Sequence, residues 1–137
     1  MRKIIIAAIC LSISFVLPSA TTPKKSQNST AFTSSIYIYN WCSYSVTSVR
    51  VEYLPTSSVT NYPSPSFPII HNGPSGDYRI TYYLSGSQTG CTRWEGGGGT
   101  CIVENYNGSD ANVYVTTNNN SYSLYLHDVP ADQVECS

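Results

Sequence analysis

Hydrophobic and polar residues alternate along most of the chain after residue 35. In five segments, aliphatic side chains fall on one face and polar or tyrosine side chains on the other, at residues 36–39, 49–53, 78–84, 113–115 and 122–127. A repeat of two residues is typical of strands with one buried face. Clusters rich in Asn, Gly and Pro separate the segments. The pattern predicts an all-β domain, specifically an antiparallel β-sandwich of about seven short strands.

Two further features support strands. Residues that favour helices are scarce after residue 35, where the chain has two alanines, four leucines, no lysine and no methionine. Val46 is out of phase with Val49 and Val51, which predicts a β-bulge near Thr47.

The charge composition excludes several classes of protein. Only 11% of the 137 residues are charged, less than half of the roughly 25% of an average globular protein. Coiled coils, basic nucleic-acid binders and charged disordered tails all need more charge. From residue 36 onward there are three basic and eight acidic residues, a net charge of −5. We expect this field to repel nucleic acid and anionic lipid headgroups.

The first 20 residues have the layout of a secretory signal peptide. Residues 1–3 carry two positive charges, residues 4–17 are apolar except for two serines, and residues 18–20 offer small side chains near a cleavage point. The alternative is a transmembrane anchor. As a helix, however, the apolar run would reach about 21 Å, short of the roughly 30 Å hydrocarbon core. We therefore expect a secreted, extracellular protein without a membrane span.

The segment that follows the signal differs from the rest of the chain. Residues 21–35 are rich in Ser, Thr, Pro and Lys and contain one aromatic residue. Such a segment cannot bury enough apolar surface to offset the entropy lost on ordering. We expect it to be a flexible leader, followed by a single β-sandwich domain at residues 36–137.

Four cysteines remain after the signal is removed: Cys42, Cys91, Cys101 and Cys136. An even number in a short secreted chain indicates two disulfides. A metal site is the alternative, but the chain has no Cys-x-x-Cys pair. Of the three possible connectivities, we favour Cys91–Cys101 across a glycine-rich loop with Cys42–Cys136 joining the first strand to the C-terminus. We expect neither a metal nor a cofactor.

One stretch resembles a known family. Residues 38–46 read Ile-Tyr-Asn-Trp-Cys-Ser-Tyr-Ser-Val. They resemble the opening strand of thaumatin-like proteins, which reads Ile/Val-x-Asn-x-Cys, a small or polar residue, an aromatic residue, Thr/Ser and Val. In that family the first cysteine pairs with one near the C-terminus, which agrees with Cys42–Cys136. The resemblance implies a related sandwich and glucan binding. Thaumatin-like proteins are usually longer, have many more disulfides, and carry an acidic cleft whose carboxylates do not map onto this chain.

No pattern of residues selects a catalytic site. The chain lacks a Gly-x-Ser-x-Gly motif, and His127-Asp128 at the end of a strand is typical of a solvated turn. Glycoside hydrolysis needs two carboxylates across a cleft. The spacing of the available acids selects no such pair; they are Glu52, Glu95, Glu104 and Asp110. We therefore predict no catalytic residues.

The loop between Cys91 and Cys101 is the first candidate for binding. If both ends were joined, it would form a closed ring that carries Arg93, Trp94 and Glu95 beside four glycines. Tryptophan and arginine anchor many interfaces, and a closed ring lowers the entropy cost of binding. The alternative is that Trp94 folds back as a lid on the edge of the core.

Outward-facing tyrosines are the second candidate. The alternation places Tyr83, Tyr114 and Tyr125 opposite the aliphatic face, together with Tyr37 and Tyr39. Such rings can stack on sugars or contact a protein, but the favoured interpretation is that they cover a second layer or simply occupy a strand surface.

Three Asn-x-Ser/Thr sequons, at Asn28, Asn107 and Asn119, are candidate glycosylation sites. Together these features predict a secreted, non-catalytic binding module for an extracellular glycan or protein surface. The alternative function is a secreted effector, toxin or inhibitor that acts on a host or competitor protein.

Overall fold

The computed structural model describes residues 33–136, which form one mixed, curled β-sheet. The predicted signal peptide, most of the predicted leader and Asn28 lie outside the described residues. The seven strands are β1 (Thr33–Asn40), β2 (Val46–Tyr53), β3 (Ser58–Pro63), β4 (Ile69–Pro74), β5 (Gly76–Gly96), β6 (Cys101–Thr117) and β7 (Ser121–His127), and a short 3-10 helix spans Ala131–Gln133. The first strand begins three residues before the predicted domain boundary.

Strand β5 organises the sheet because its two parts have different partners. Its first part pairs with β2 and its second part with β7, whereas β6 runs antiparallel beside both parts. The register of β5 and β6 shifts between Tyr83 and Gln88, where the two parts meet. Strand β3 continues the sheet beyond β2, and β1 and β4 continue it beyond β7. This change of partners allows one continuous sheet to curl.

The prediction that every pair is antiparallel is wrong for β1 and β7. These two strands run parallel, with Ile36 opposite Tyr122 and Ile38 opposite Leu124. A repeat of two residues reports which face a side chain occupies and carries no information on strand direction. The sequence pattern could therefore not distinguish the two arrangements.

The buried face of the curled sheet forms one hydrophobic cluster. All five alternating segments lie within strands, and their aliphatic residues are buried as predicted. The predicted bulge is confirmed by a register shift between Val46 and Ser48. The buried cluster contains side chains from both parts of the sheet: Ile36, Ile38, Val49, Val51, Ile69, Tyr78, Ile80, Tyr82, Leu84, Trp94, Ala111, Val113, Val115, Tyr122, Leu124 and Leu126.

Strands β3 and β4 lie at opposite ends of the strand order, yet curling of the sheet brings them together. The Tyr62 hydroxyl of β3 lies 2.9 Å from Nδ1 of His71 in β4. The His71 ring also packs edge-on against Tyr78, with 5.8 Å between ring centres. Burial lowers the pKa of His71. The Asn, Gly and Pro content of residues 61–65 and 71–76 predicts turns, but residues 61–63 belong to β3 and residues 71–74 to β4.

Both favoured disulfide pairings are wrong, because Cys101 is bonded to Cys136, with 5.8 Å between their Cα atoms, and Cys42 and Cys91 are free thiols. Cys91 lies opposite Asn105, whereas Cys101 lies opposite Glu95. The two positions are four residues apart along the strands, or about 13 Å. A disulfide needs Cα atoms within about 7 Å. The strand register therefore prevents the predicted ring.

Candidate functional site

A row of stacked side chains crosses the outer face of the sheet on β1, β7 and β5. Tyr39 and Arg93 lie on either side of Tyr125 in the strand register. The two tyrosine rings are stacked, with centres 4.8 Å apart and planes 10° from parallel. The guanidinium carbon of Arg93 lies 4.5 Å from the centre of the Tyr125 ring. The row is thus a continuous stack with a cation–π contact at one end.

Trp41 lies just beyond β1 and packs over this row. Its ring centre is 4.4 Å from that of Tyr125 and 5.4 Å from that of His127, and the residue is 54% exposed. The indole therefore adds exposed apolar surface to the end of the stacked row. Trp41 is absent from the contact residues that the sequence predicts. Its place after Asn40, a turn-favouring residue at the end of an alternating segment, was the available signal.

The loop that carries Trp41 is fixed by hydrogen bonds to carboxylate and amide side chains. Asp128 Oδ2 accepts hydrogen bonds from the Ser43 backbone N–H at 2.9 Å and from the Ser43 hydroxyl at 2.7 Å. Asn40 Oδ1 accepts a hydrogen bond from the Cys42 backbone N–H at 3.1 Å. The bonds from Ser43 lower the pKa of Asp128. The backbone directly after Trp41 is therefore fixed by an ionised carboxylate and an amide oxygen.

A trench lies on the same face, next to the stacked row. Tyr37 and Glu95 flank Ser123 on the two neighbouring strands, so that their backbones are about 10 Å apart. Because the outward side chains of β7 are small here, the space above the strand stays open. The resulting cavity has a volume of about 370 Å³ and is lined by Tyr37, Tyr39, Glu95, Gly96, Gly97, Ser121 and Ser123.

Arg93 contacts both Tyr125 in the stacked row and Glu95 in the trench. Its Nε atom lies 3.1 Å from Glu95 Oε1, and its Nη1 donates a hydrogen bond to the Glu135 carbonyl oxygen at 3.0 Å. Its side chain is only 11% exposed. Arg93 is thus held by a carboxylate, a backbone carbonyl and aromatic rings. These contacts fix the position of Arg93, and the ion pair orients the Glu95 carboxylate at the trench.

The C-terminal segment also contacts this face. The Asn105 side-chain oxygen accepts a hydrogen bond from the Ala131 backbone N–H at 2.8 Å, and Cys136 is bonded to Cys101. Cys91 lies opposite both Asn105 and His127 and is fully buried.

Both free thiols are poor nucleophiles. Burial raises the pKa of Cys91. Burial, with a smaller contribution from the charge of Asp128, raises the pKa of Cys42 to about 12. Both groups are therefore protonated near neutral pH, whereas reactive cysteines have lowered pKa values.

The predicted binding residues divide between two faces. Arg93, Glu95 and Tyr125 meet on the face just described, whereas Tyr83 and Tyr114 lie on the outer face of the first part of β5 and its partner β6. Tyr114 is 63% exposed. It lies opposite Arg79, which forms an ion pair with Glu52. The predicted binding residues therefore do not form one continuous site in the described part of the chain.

Trp94 does not lie on a binding surface. It is 3% exposed and lies opposite Leu124, with its ring stacked 5.0 Å from that of Tyr122. Strand β5 continues through Trp94 to Gly96, so its alternation points the indole inward. The prediction of Trp94 as a contact is wrong, and its alternative as a lid on the core agrees with the structure.

Among residues 33–136, no group of three or more His, Cys, Asp and Glu side chains could hold a metal ion. Across the same residues, no helix has the length and apolar character needed to cross a membrane. Asn107 and Asn119 are both exposed. The chain matches no family model, and neither the curated proteins nor the solved structures contain a match. The resemblance to thaumatin-like proteins stays a prediction.

Proposed function

We propose that the chain is a secreted, non-catalytic binding module for an extracellular glycan, which it binds in the trench between Tyr37 and Glu95. The trench itself is the observation that carries the proposal. Tyrosine rings form one wall, a carboxylate and two glycines form the other, and two serine hydroxyls lie on the floor. A pyranose has the same combination of apolar ring faces and hydroxyl-bearing edges, and binding pockets commonly pair apolar walls with a few fixed polar groups.

Rigidity and charge both support a neutral glycan. The stack of Tyr39, Tyr125 and Arg93 leaves little side-chain freedom to lose when a ligand binds. The net charge of −5 from residue 36 onward repels polyanions. Glu95 adds a carboxylate at the trench itself, where sugar hydroxyls can donate to it.

The chemistry of the trench supports binding without catalysis. Glycoside hydrolysis generally uses two carboxyl groups on either side of the scissile bond. Of the described residues that line the trench, Glu95 alone carries a carboxyl group. The raised pKa values of both free thiols also argue against a cysteine nucleophile. The proposal includes no cofactor.

Export and a two-layer architecture belong to the same proposal. A disulfide persists most readily in an oxidising compartment, which supports secretion. The shared buried cluster and the contact between Tyr62 and His71 support two parts of the sheet packed face to face as a sandwich. Glycosylation at the exposed Asn107 and Asn119 would require export through a eukaryotic pathway.

A glycan array with two matched aromatic variants tests the function. Tyr37→Ala removes a ring that lines the trench, and Tyr114→Ala removes an exposed ring from the other face. We expect Tyr37→Ala to lower affinity about 10- to 100-fold, the range of an interface anchor, and Tyr114→Ala to bind like the wild type. Equal losses in both variants would contradict the proposed site. Failure of the wild type to bind any glycan would contradict the function and favour a protein target.

A further inference from the structure

The trench is closed at one end. Beyond Ser123, the next outward residue of β7 is Tyr125, whose ring stands between Tyr39 and Arg93 and fills the space above the strand. Trp41 packs against the same ring. The outward side chains of β7 therefore change from the small Ser123 to the packed ring of Tyr125 at the next outward position, and this ring closes the trench.

The other end of the trench is open and is built from small residues. Gly96 and Gly97 form one side, and Ser121 begins the floor. A Cβ atom added at Gly96 would come within 2.8 Å of the Tyr122 ring. Glycine at this position thus lets the β5–β6 hairpin pack closely on β7 while its backbone lines the cavity. A chain that enters past the glycines meets the aromatic wall after the level of Ser123.

From this shape we infer that the module binds the terminal residue of a neutral glycan chain and not an internal stretch. The inference rests on the proposed function and specifies the ligand. A terminal pyranose has one free hydroxyl more than an internal one. Glu95 flanks Ser123, directly before the closed end. Its carboxylate, oriented by Arg93, is placed to accept a hydrogen bond from that additional hydroxyl.

Calorimetric titration tests the inference. The ligands are neutral oligosaccharides of increasing length, from disaccharide to hexasaccharide, and their parent polymer. End recognition gives one bound protein per chain at every length and an affinity per chain that stops rising once the trench is filled. Internal recognition gives several proteins per long chain, and this result would overturn the inference while leaving the proposed function intact. Absence of binding by every oligosaccharide and the polymer would instead overturn the proposed function.

Two variants locate the effect. Ser123→Tyr fills the trench floor on an outward strand position, and Asn61→Tyr places the same side chain on an exposed position of β3. We expect the first to reduce affinity at least 10-fold and the second to leave it unchanged, with unfolding curves to show that both are folded. Removal of the wall by Tyr125→Ala should raise the number of proteins bound per long chain. An unchanged stoichiometry in folded Tyr125→Ala would contradict the closed end.

Discussion

Replacement of both bonded cysteines, Cys101→Ser with Cys136→Ser, should lower the free energy of unfolding by about 4 kcal/mol. The two residues are 35 positions apart in sequence, and the chain-entropy model gives about 4 kcal/mol for a loop of that length. Small domains are stable by only about 5–15 kcal/mol, so the loss is a large fraction of the total. In urea, with a slope of about 1.5 kcal/mol per molar, the midpoint should fall by roughly 2.5 M.

The matched control is Cys42→Ser, which makes the same atomic substitution at a thiol outside the disulfide. The Cys42 thiol donates a hydrogen bond to Asn40 Oδ1, and a serine hydroxyl can donate to the same acceptor. We expect its midpoint to stay within about 0.5 M of the wild type, since a retained hydrogen bond leaves little change in free energy. If the control lost as much as the double variant, or the double variant lost nothing, the assigned disulfide would be wrong.

Three further outcomes follow from burial and packing. Burial lowers the pKa of His71, so the unfolded chain takes up a proton on this residue at a higher pH than the folded chain does. The free energy of unfolding should therefore decline as the pH falls below about 6.5. Urea titrations at several pH values should show a smaller decline in His71→Gln. The Cys42 thiol, with a pKa of about 12, should react far more slowly with iodoacetamide in the native protein than in urea, as peptide mass spectrometry would show. Gly90→Ala places a Cβ atom 2.0 Å from the His127 carbonyl oxygen and should lower the free energy of unfolding by more than about 2 kcal/mol. In Gly97→Ala the added Cβ atom lies 3.4 Å from the Asn120 side chain, an ordinary contact distance, so this variant should have little effect. Thermal unfolding compares the two variants. A flat pH profile, equal alkylation rates or equal melting temperatures would contradict the respective arguments.

The fold class could be predicted because face alternation is a local property. Ile36 and Ile38 face the core from the same strand, and their apolar side chains, two positions apart, reveal this in the sequence. Strand direction and register are set by distant partners. The parallel pairing of β1 with β7 joins segments about 85 residues apart, and nothing within either segment encodes it. The disulfide prediction failed for the same reason, because Cys91 and Cys101 are close in sequence but offset along β5 and β6.

The residues of the site were predicted separately. Arg93 and Glu95 were predicted as contacts because they lie beside the glycine-rich segment, and Tyr125 because it faces outward on a strand. The register of β5 and β7 brings these residues together. Trp94 was the stronger candidate from composition, but strand continuity turns it inward. Trp41 was missed because its exposure depends on the loop held by Asp128, which follows it by 87 positions.

The contact between β3 and β4 also bears on how copies of this protein behave toward one another. Terminal strands of open sheets present unpaired backbone groups on which a neighbouring molecule can add a strand, the first step toward fibrils. Here β3 and β4 both end on proline, which lacks the N–H that such addition requires, and the hydroxyl of Tyr62 contacts His71 of the other strand. At these two strand ends a neighbouring molecule therefore finds no backbone donor on which to add a strand.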